Sequence, residues 1–151
     1  MILLASDHGG LELKDAIRQE LVARGIEVSD LGAMKGESVD YPDYAEKVAR
    51  AIARGESDQG ILICGTGIGM SIVANKFPGV RAALVSDEFT ARMAKEHNNA
   101  NVLVMGGRVL QIDQALAMLR IWLETPFEGG RHQRRLDKIS QIEDEFRSGR
   151  F

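Results

Sequence analysis

The sequence has a single cysteine in 151 residues. No internal disulfide can form, and a reducing compartment such as the cytoplasm is the expected setting. Aromatic residues make up only 5%, too few to suggest an aromatic-lined pocket. Positive charge is not in excess: 19 Lys and Arg face 22 Asp and Glu, a net of -3. Nucleic-acid binding needs a basic surface to displace counterions, so no nucleic-acid partner is expected. No apolar run approaches the ~20 residues of a membrane span. The run Ile2–Ala5 is too short for a signal-peptide core and has no basic leader. Internal repeats, low-complexity tracts and interdomain linkers are also missing. The length suits one domain, residues 1–151, and a chain of this size buries roughly 68–70% of its unfolded surface without staples.

What is present is an ordinary globular balance of 44% hydrophobic and 27% charged residues, with 16 glycines. Short apolar runs alternate with segments of helical period. Ile2–Ser6 reads as a strand buried on both faces. Leu11, Ile17, Leu21 and Val22 mark a helix ended by Gly25, and Ile26–Leu31 a second strand. Residues 33–40 read as a loop. Pro42 sits where a helix starts, its missing N–H costing nothing there, and Gly55 stops that helix. Gly60–Cys64 is the strongest strand, followed by a glycine loop and a short helix through Asn75. Arg81–Ser86, a helix over Asp87–Glu96, the strand Val102–Met105 and a helix over Gln111–Leu123 follow. A last helix covers 133–147, with Leu136, Ile139 and Ile142 on one edge. This alternation predicts a single-domain, three-layer α/β/α fold of Rossmann-like type around a five-stranded parallel sheet. Ligands of such sheets bind beyond the carboxyl ends of the strands.

The residues that follow the strands are therefore the candidates. Gly65-Thr66-Gly67-Ile68-Gly69 places three glycines on alternate residues at a helix start, an arrangement that turns N–H groups toward an anion. It is not a nucleotide loop: the dinucleotide spacing needs a glycine where Met70 stands, and the P-loop Lys is absent. Taken alone it is equally a tight strand-to-helix turn. Cys64 directly precedes it. A lone cysteine is commonly a small buried hydrophobe, but thiolates form most readily at helix N-termini, where this one would serve as a nucleophile or a proton acceptor. Asp7 and His8 follow the first strand. His97 and Asn98, which lead into the fifth strand, read either as a solvated helix cap or as acid–base groups sharing the Cys64 edge. Arg131 and Arg135 share a helix face. With Arg108 and His132 they form either a phosphate clamp or a solvated basic patch.

Six motifs in order, Ser6-Asp7-His8, Asp40-Tyr41-Pro42, Ile63-Cys64-Gly65-Thr66-Gly67-Ile68-Gly69, Ala74-Asn75-Lys76, His97-Asn98-Asn99-Ala100-Asn101 and Glu128-Gly129-Gly130-Arg131-His132, resemble the type B ribose-5-phosphate isomerases. That family also holds allose-6-phosphate and galactose-6-phosphate isomerases. The resemblance runs from Ile2 to about Glu143. It implies an aldose–ketose isomerase acting through an enediolate, with no metal or cofactor, in which Cys64 is the base. Some members carry a carboxylate base at the position of Met70, which cannot accept a proton. The resemblance further implies that Thr66 and His97 open the sugar ring and that Asp7 contacts sugar hydroxyls. Asn98 and the N–H groups of Gly65, Gly67, Ile68, Gly69, Met70 and Ser71 would steady the enediolate, while Tyr41 lines the site. His8, Arg108, Arg131 and Arg135 would bind phosphate. A homodimer or tetramer is implied, with Arg131 and Arg135 completing a partner's site and the last helix packing on that partner. Other phosphosugars remain open as substrates, as do a non-catalytic phosphosugar binder and a cysteine hydrolase.

Overall fold

A computed structural model describes all 151 residues. Five strands, β1 (Ile2–Ser6), β2 (Val28–Asp30), β3 (Gln59–Cys64), β4 (Ala82–Leu84) and β5 (Val102–Gly106), form one sheet in the order β2-β1-β3-β5-β4. Every pairing is parallel. Six α-helices follow in sequence: α1 (Leu11–Ala23), α2 (Tyr41–Ala53), α3 (Ile68–Ala74), α4 (Glu88–Glu96), α5 (Ile112–Glu124) and α6 (Arg131–Arg147).

The strand residues sort by parity into two cores, as a pleat requires. Ile2, Leu4, Ile61, Ile63, Leu103 and Met105 face α1, α4 and α5, where Ile17, Leu21, Leu119 and Trp122 close the layer. Leu3, Ala5, Leu62, Cys64, Val102 and Val104 face Ala45, Val48, Ala49 and Ile52 of α2 and Met70 and Ala74 of α3. The chain therefore has the three layers expected. The crossovers from β1 and β3 leave in opposite directions, so the switch point of the sheet lies between the carboxyl ends of these two strands.

Boundaries differ from the sequence reading at the sheet margins. β2 keeps only Val28–Asp30 of 26–31, and β4 only Ala82–Leu84 of 81–86. Both are edge strands with one neighbour, and side chains hold their ends. Asn101 Oδ1 accepts from Arg81 N–H at 2.7 Å, and Asn75 Oδ1 accepts from Ala82 N–H at 2.9 Å. Residues His8–Gly10 form a separate 3-10 turn before α1. Tyr41, not Pro42, opens α2, and α5 runs over Ile112–Glu124, one residue later than 111–123. Helix α6 starts at Arg131, not at residue 133, because Gly129 and Gly130, with φ of 73° and 56°, finish the turn immediately before it.

Candidate active site

The carboxyl ends of β1 and β3 lie side by side, with Ser6 paired to Ile63. Asp7 caps the turn after β1, its Oδ1 accepting from Gly9 N–H at 2.9 Å. His8 Nδ1 accepts from Val39 N–H at 3.2 Å. That bond ties residues 33–40 to the end of β1 and leaves the His8 Nε2 as the ring's donor. Arg108 folds back so that its Cδ and Nη1 lie 3.3 and 3.5 Å from where a Gly65 Cβ would sit. A Cβ on Gly69 would meet the Tyr41 ring at 2.5 Å, so only glycine lets that ring close over the loop.

Cys64 ends β3 and is 5% exposed. Gly67 adopts a left-handed φ of 81° and turns its N–H back onto Cys64 Sγ at 3.1 Å. That donor treats the sulfur as an acceptor, the electronic role a base must fill. Ile68 N–H bonds Thr66 Oγ1 at 3.3 Å, and Ser71 N–H bonds Gly67 O at 3.0 Å. The expected nest is therefore narrower than residues 65–71. The N–H groups of Gly65, Thr66, Gly69 and Met70 have no backbone acceptor, whereas those of Gly67, Ile68 and Ser71 are used inside the loop. The Met70 side chain is fully buried, so only its backbone faces the site.

The strand polarity separates the remaining candidates from this group. Asn101, four residues past His97, bonds through its carbonyl to Gly60 N–H at 2.9 Å, at the amino end of β3. Arg81, just before β4, holds the carbonyls of Asn98 and Asn99 through its guanidinium, at 3.2 and 2.9 Å. Glu128 N–H bonds Glu96 O at 3.0 Å and fixes the start of α6 there too. His97, Asn98, Arg131 and Arg135 thus gather at the amino edge of the sheet. The rise from Gly60 to Cys64 alone is about 13 Å. The expectation that His97 and Asn98 share the Cys64 edge is overturned, because a helix that leaves a strand's carboxyl end delivers its own last residue to the opposite edge.

Within one chain Arg108 and His132 do not join Arg131 and Arg135 in a clamp. Arg108 lies at the carboxyl edge, and His132 is 3% exposed. Glu128, which the sequence motif contains but to which no role was given, approaches both histidines, with its Oε2 3.7 Å from His132 Nε2 and 3.9 Å from His97 Nε2. The glycine pair between Glu128 and His132 hid a four-residue spacing. Cys64 lines none of the clefts of the single chain. No helix is long and apolar enough to cross a membrane.

Burial first, and then the charge of His97, hold the His132 imidazole below its ordinary range; Glu128 opposes this, and Arg131 and Arg135 reinforce it. The native state therefore binds a proton at His132 less readily than the unfolded chain does. Its contribution to stability should be full above the unfolded value of about 6.5 and should fall as pH drops below it. Urea midpoints measured from pH 8 to pH 5 should show this decline, and His132→Phe should flatten it. An equal decline in the variant would assign the effect to other groups.

Comparison with known proteins gives a consistent answer. The family described as Ribose/Galactose Isomerase matches residues 2–139. Ribose-5-phosphate isomerase B of Escherichia coli is 49% identical over 142 residues, covering 94% of this chain and 95% of the relative. The solved ribose-5-phosphate isomerase B of Clostridium thermocellum superposes with a TM-score of 0.93 at 52% identity, over 96% of this chain and 98% of the other. That of Mycoplasma genitalium, solved with bound ribulose-5-phosphate, gives 0.92 at 46% identity, over 95% and 96%.

Proposed function

The chain belongs to the ribose/galactose isomerase family, and from that premise we propose that it interconverts ribose 5-phosphate and ribulose 5-phosphate with Cys64 as the base. The observation that carries the assignment is the sulfur at the floor of the glycine loop, accepting from the Gly67 N–H, with the Arg108 side chain packed on the neighbouring Gly65. Removing the C2 proton of the open-chain aldose leaves its electron pair to form the C1–C2 double bond. The carbonyl π pair then moves onto O1, giving an enediolate. The protonated sulfur returns the proton to C1 while the O2 proton passes to O1, and the ketose results. A positioned base contributes typically 10²–10⁴-fold, and each fixed donor to the oxyanion roughly 10²–10³-fold. The N–H groups of Gly65, Thr66, Gly69 and Met70 are the donors assigned to that oxyanion. Asp7 keeps one carboxylate oxygen for a sugar hydroxyl, and Tyr41 walls the site. The phosphate goes to Arg108 and His8, and its binding holds the reacting carbons over the sulfur.

Ring opening by Thr66 and His97, enediolate support by Asn98 and phosphate binding by Arg131 and Arg135 then require a second copy of the chain. A two-fold axis that sets two sheets antiparallel brings the amino edge of one copy onto the carboxyl edge of the other. Both edges carry apolar surface suited to this: Ile68 and Ile72 on α3 are 53% and 55% exposed, and Ile139 and Ile142 on α6 are 43% and 53% exposed. In this homodimer His97 and Asn98 act across the interface together with the two arginines, and α6 packs on the partner.

Cys64→Ala should retain the fold by circular dichroism and lose at least about 10²-fold in turnover; near-normal turnover would remove the sulfur from the mechanism. A substrate panel of ribose, allose and galactose phosphates fixes the sugar, with ribose 5-phosphate expected to be turned over fastest.

His97→Ala should slow the aldose direction, which starts from a closed ring, more than the ketose direction, whose substrate has no ring to open. Equal losses would withdraw the ring-opening role.

Mixing Cys64→Ala with His97→Ala subunits tests the sharing of the site. If His97 acts in trans, each mixed dimer holds one intact site, and random exchange restores about a quarter of wild-type activity. If His97 acts in cis, every site stays defective and no activity returns.

A further inference from the structure

The His97 and His132 rings stack with centroids 4.1 Å apart and planes 13° from parallel. They meet where the end of α4 touches the start of α6. Around them stand Glu96 from α4, with Oε1 3.9 Å from His97 Nε2, and Glu128 from the connection, whose Oε2 faces both Nε2 atoms. Arg131 and Arg135 extend from α6 beside His132.

Two imidazoles and a carboxylate whose ligand atoms lie within 4.8 Å of one another suggest a metal site. The ring orientation excludes that use of the present arrangement. The lone pair of an imidazole nitrogen lies in the plane of its ring, and two nearly parallel planes stacked face to face cannot both contain one ion. What the stack does offer is a flat face. His132 is 3% exposed, and its Nε2 has no hydrogen-bond partner. A buried unpartnered nitrogen is costly to maintain, and a phenyl ring would fill the same volume without that cost.

We propose that His132 is a positioning residue for His97: its buried ring backs the His97 imidazole and, with the Glu128 carboxylate facing both Nε2 atoms, holds His97 with Nε2 toward the acids and Nδ1 free for the sugar ring. The inference rests on the assignment of ring opening to His97. Burial, and after it the neighbouring His97, lowers the proton affinity of the His132 ring, which favours a flat, uncharged face behind His97. His97 is half-buried at the end of a helix, and without that backing its ring is free to rotate. Orientation errors of this kind cost on the order of 10- to 100-fold in rate.

The direct readout is the ¹⁵N spectrum of the His97 ring in the full-length protein. The wild type should show one neutral tautomer at pH 8, with the proton on Nε2, and His132→Ala should show a mixture. His132→Ala should also lose on the order of 10-fold more turnover in the aldose direction than in the ketose direction. His132→Phe, which keeps the flat face and loses the nitrogen, should recover part of that difference. An unchanged His97 tautomer together with equal losses in both directions would overturn the proposal, whatever happens to thermal stability. Should His132→Ala fail to fold, the half-exposed Glu128→Gln supplies the same spectrum: a tautomer mixture supports the proposal, and a single unchanged tautomer overturns it. If His97→Ala itself slows both directions equally, the ring-opening assignment fails, while the tautomer measurement still decides whether His132 orients His97.

Discussion

The polarity of the sheet is the constraint on which the site depends. Five parallel strands give the molecule two chemically different edges. Every crossover helix starts at one edge and ends at the other. The carboxyl edge receives the turns that follow β1, β3 and β5, bringing Asp7, His8, Cys64, the glycine loop and Arg108 together around the switch point. The amino edge receives the helix ends, and with them His97, Asn98 and the start of α6. Neither set alone contains every group that the proposed ring opening and proton transfer would use.

Close backbone approach is the second element. Gly67 turns its N–H onto the sulfur, Gly69 admits the Tyr41 ring, and a Cβ on Gly106 would strike Thr66 O at 2.7 Å. The high glycine content with few aromatics is explained here. The site is a floor of main chain, with one aromatic ring laid on it. The donors proposed for the oxyanion are peptide N–H groups fixed by the fold, so little reorganisation would be needed as negative charge develops.

Much of this was legible in the residues. The central strands β1, β3 and β5 showed themselves as short apolar runs because they are buried on both faces. Cys64 and its loop were found because they break a strong strand pattern with glycine. The edge strands were read too long, since an apolar run does not reveal how many neighbours a strand has. His97 was assigned to the wrong edge for a different reason. Nearness to a strand in sequence does not say which end of the strand is near, and that follows only from the direction of the helix before it. Asn75 and Asn101, which stand in motifs suggestive of function, turn out to fasten the margins of β4 to its neighbours. The partnership of Glu128 with two histidines was invisible because it depends on α4 and α6 meeting end to end.

The guanidinium of Arg81 grips the carbonyls of Asn98 and Asn99, and so anchors the short segment carrying the imidazole that the proposed dimer lends to the other copy. If the reacting groups are divided between two copies as proposed, the rate at high dilution would depend on how often two molecules meet. Below the dissociation constant of the pair, activity would climb with the square of the amount of protein added.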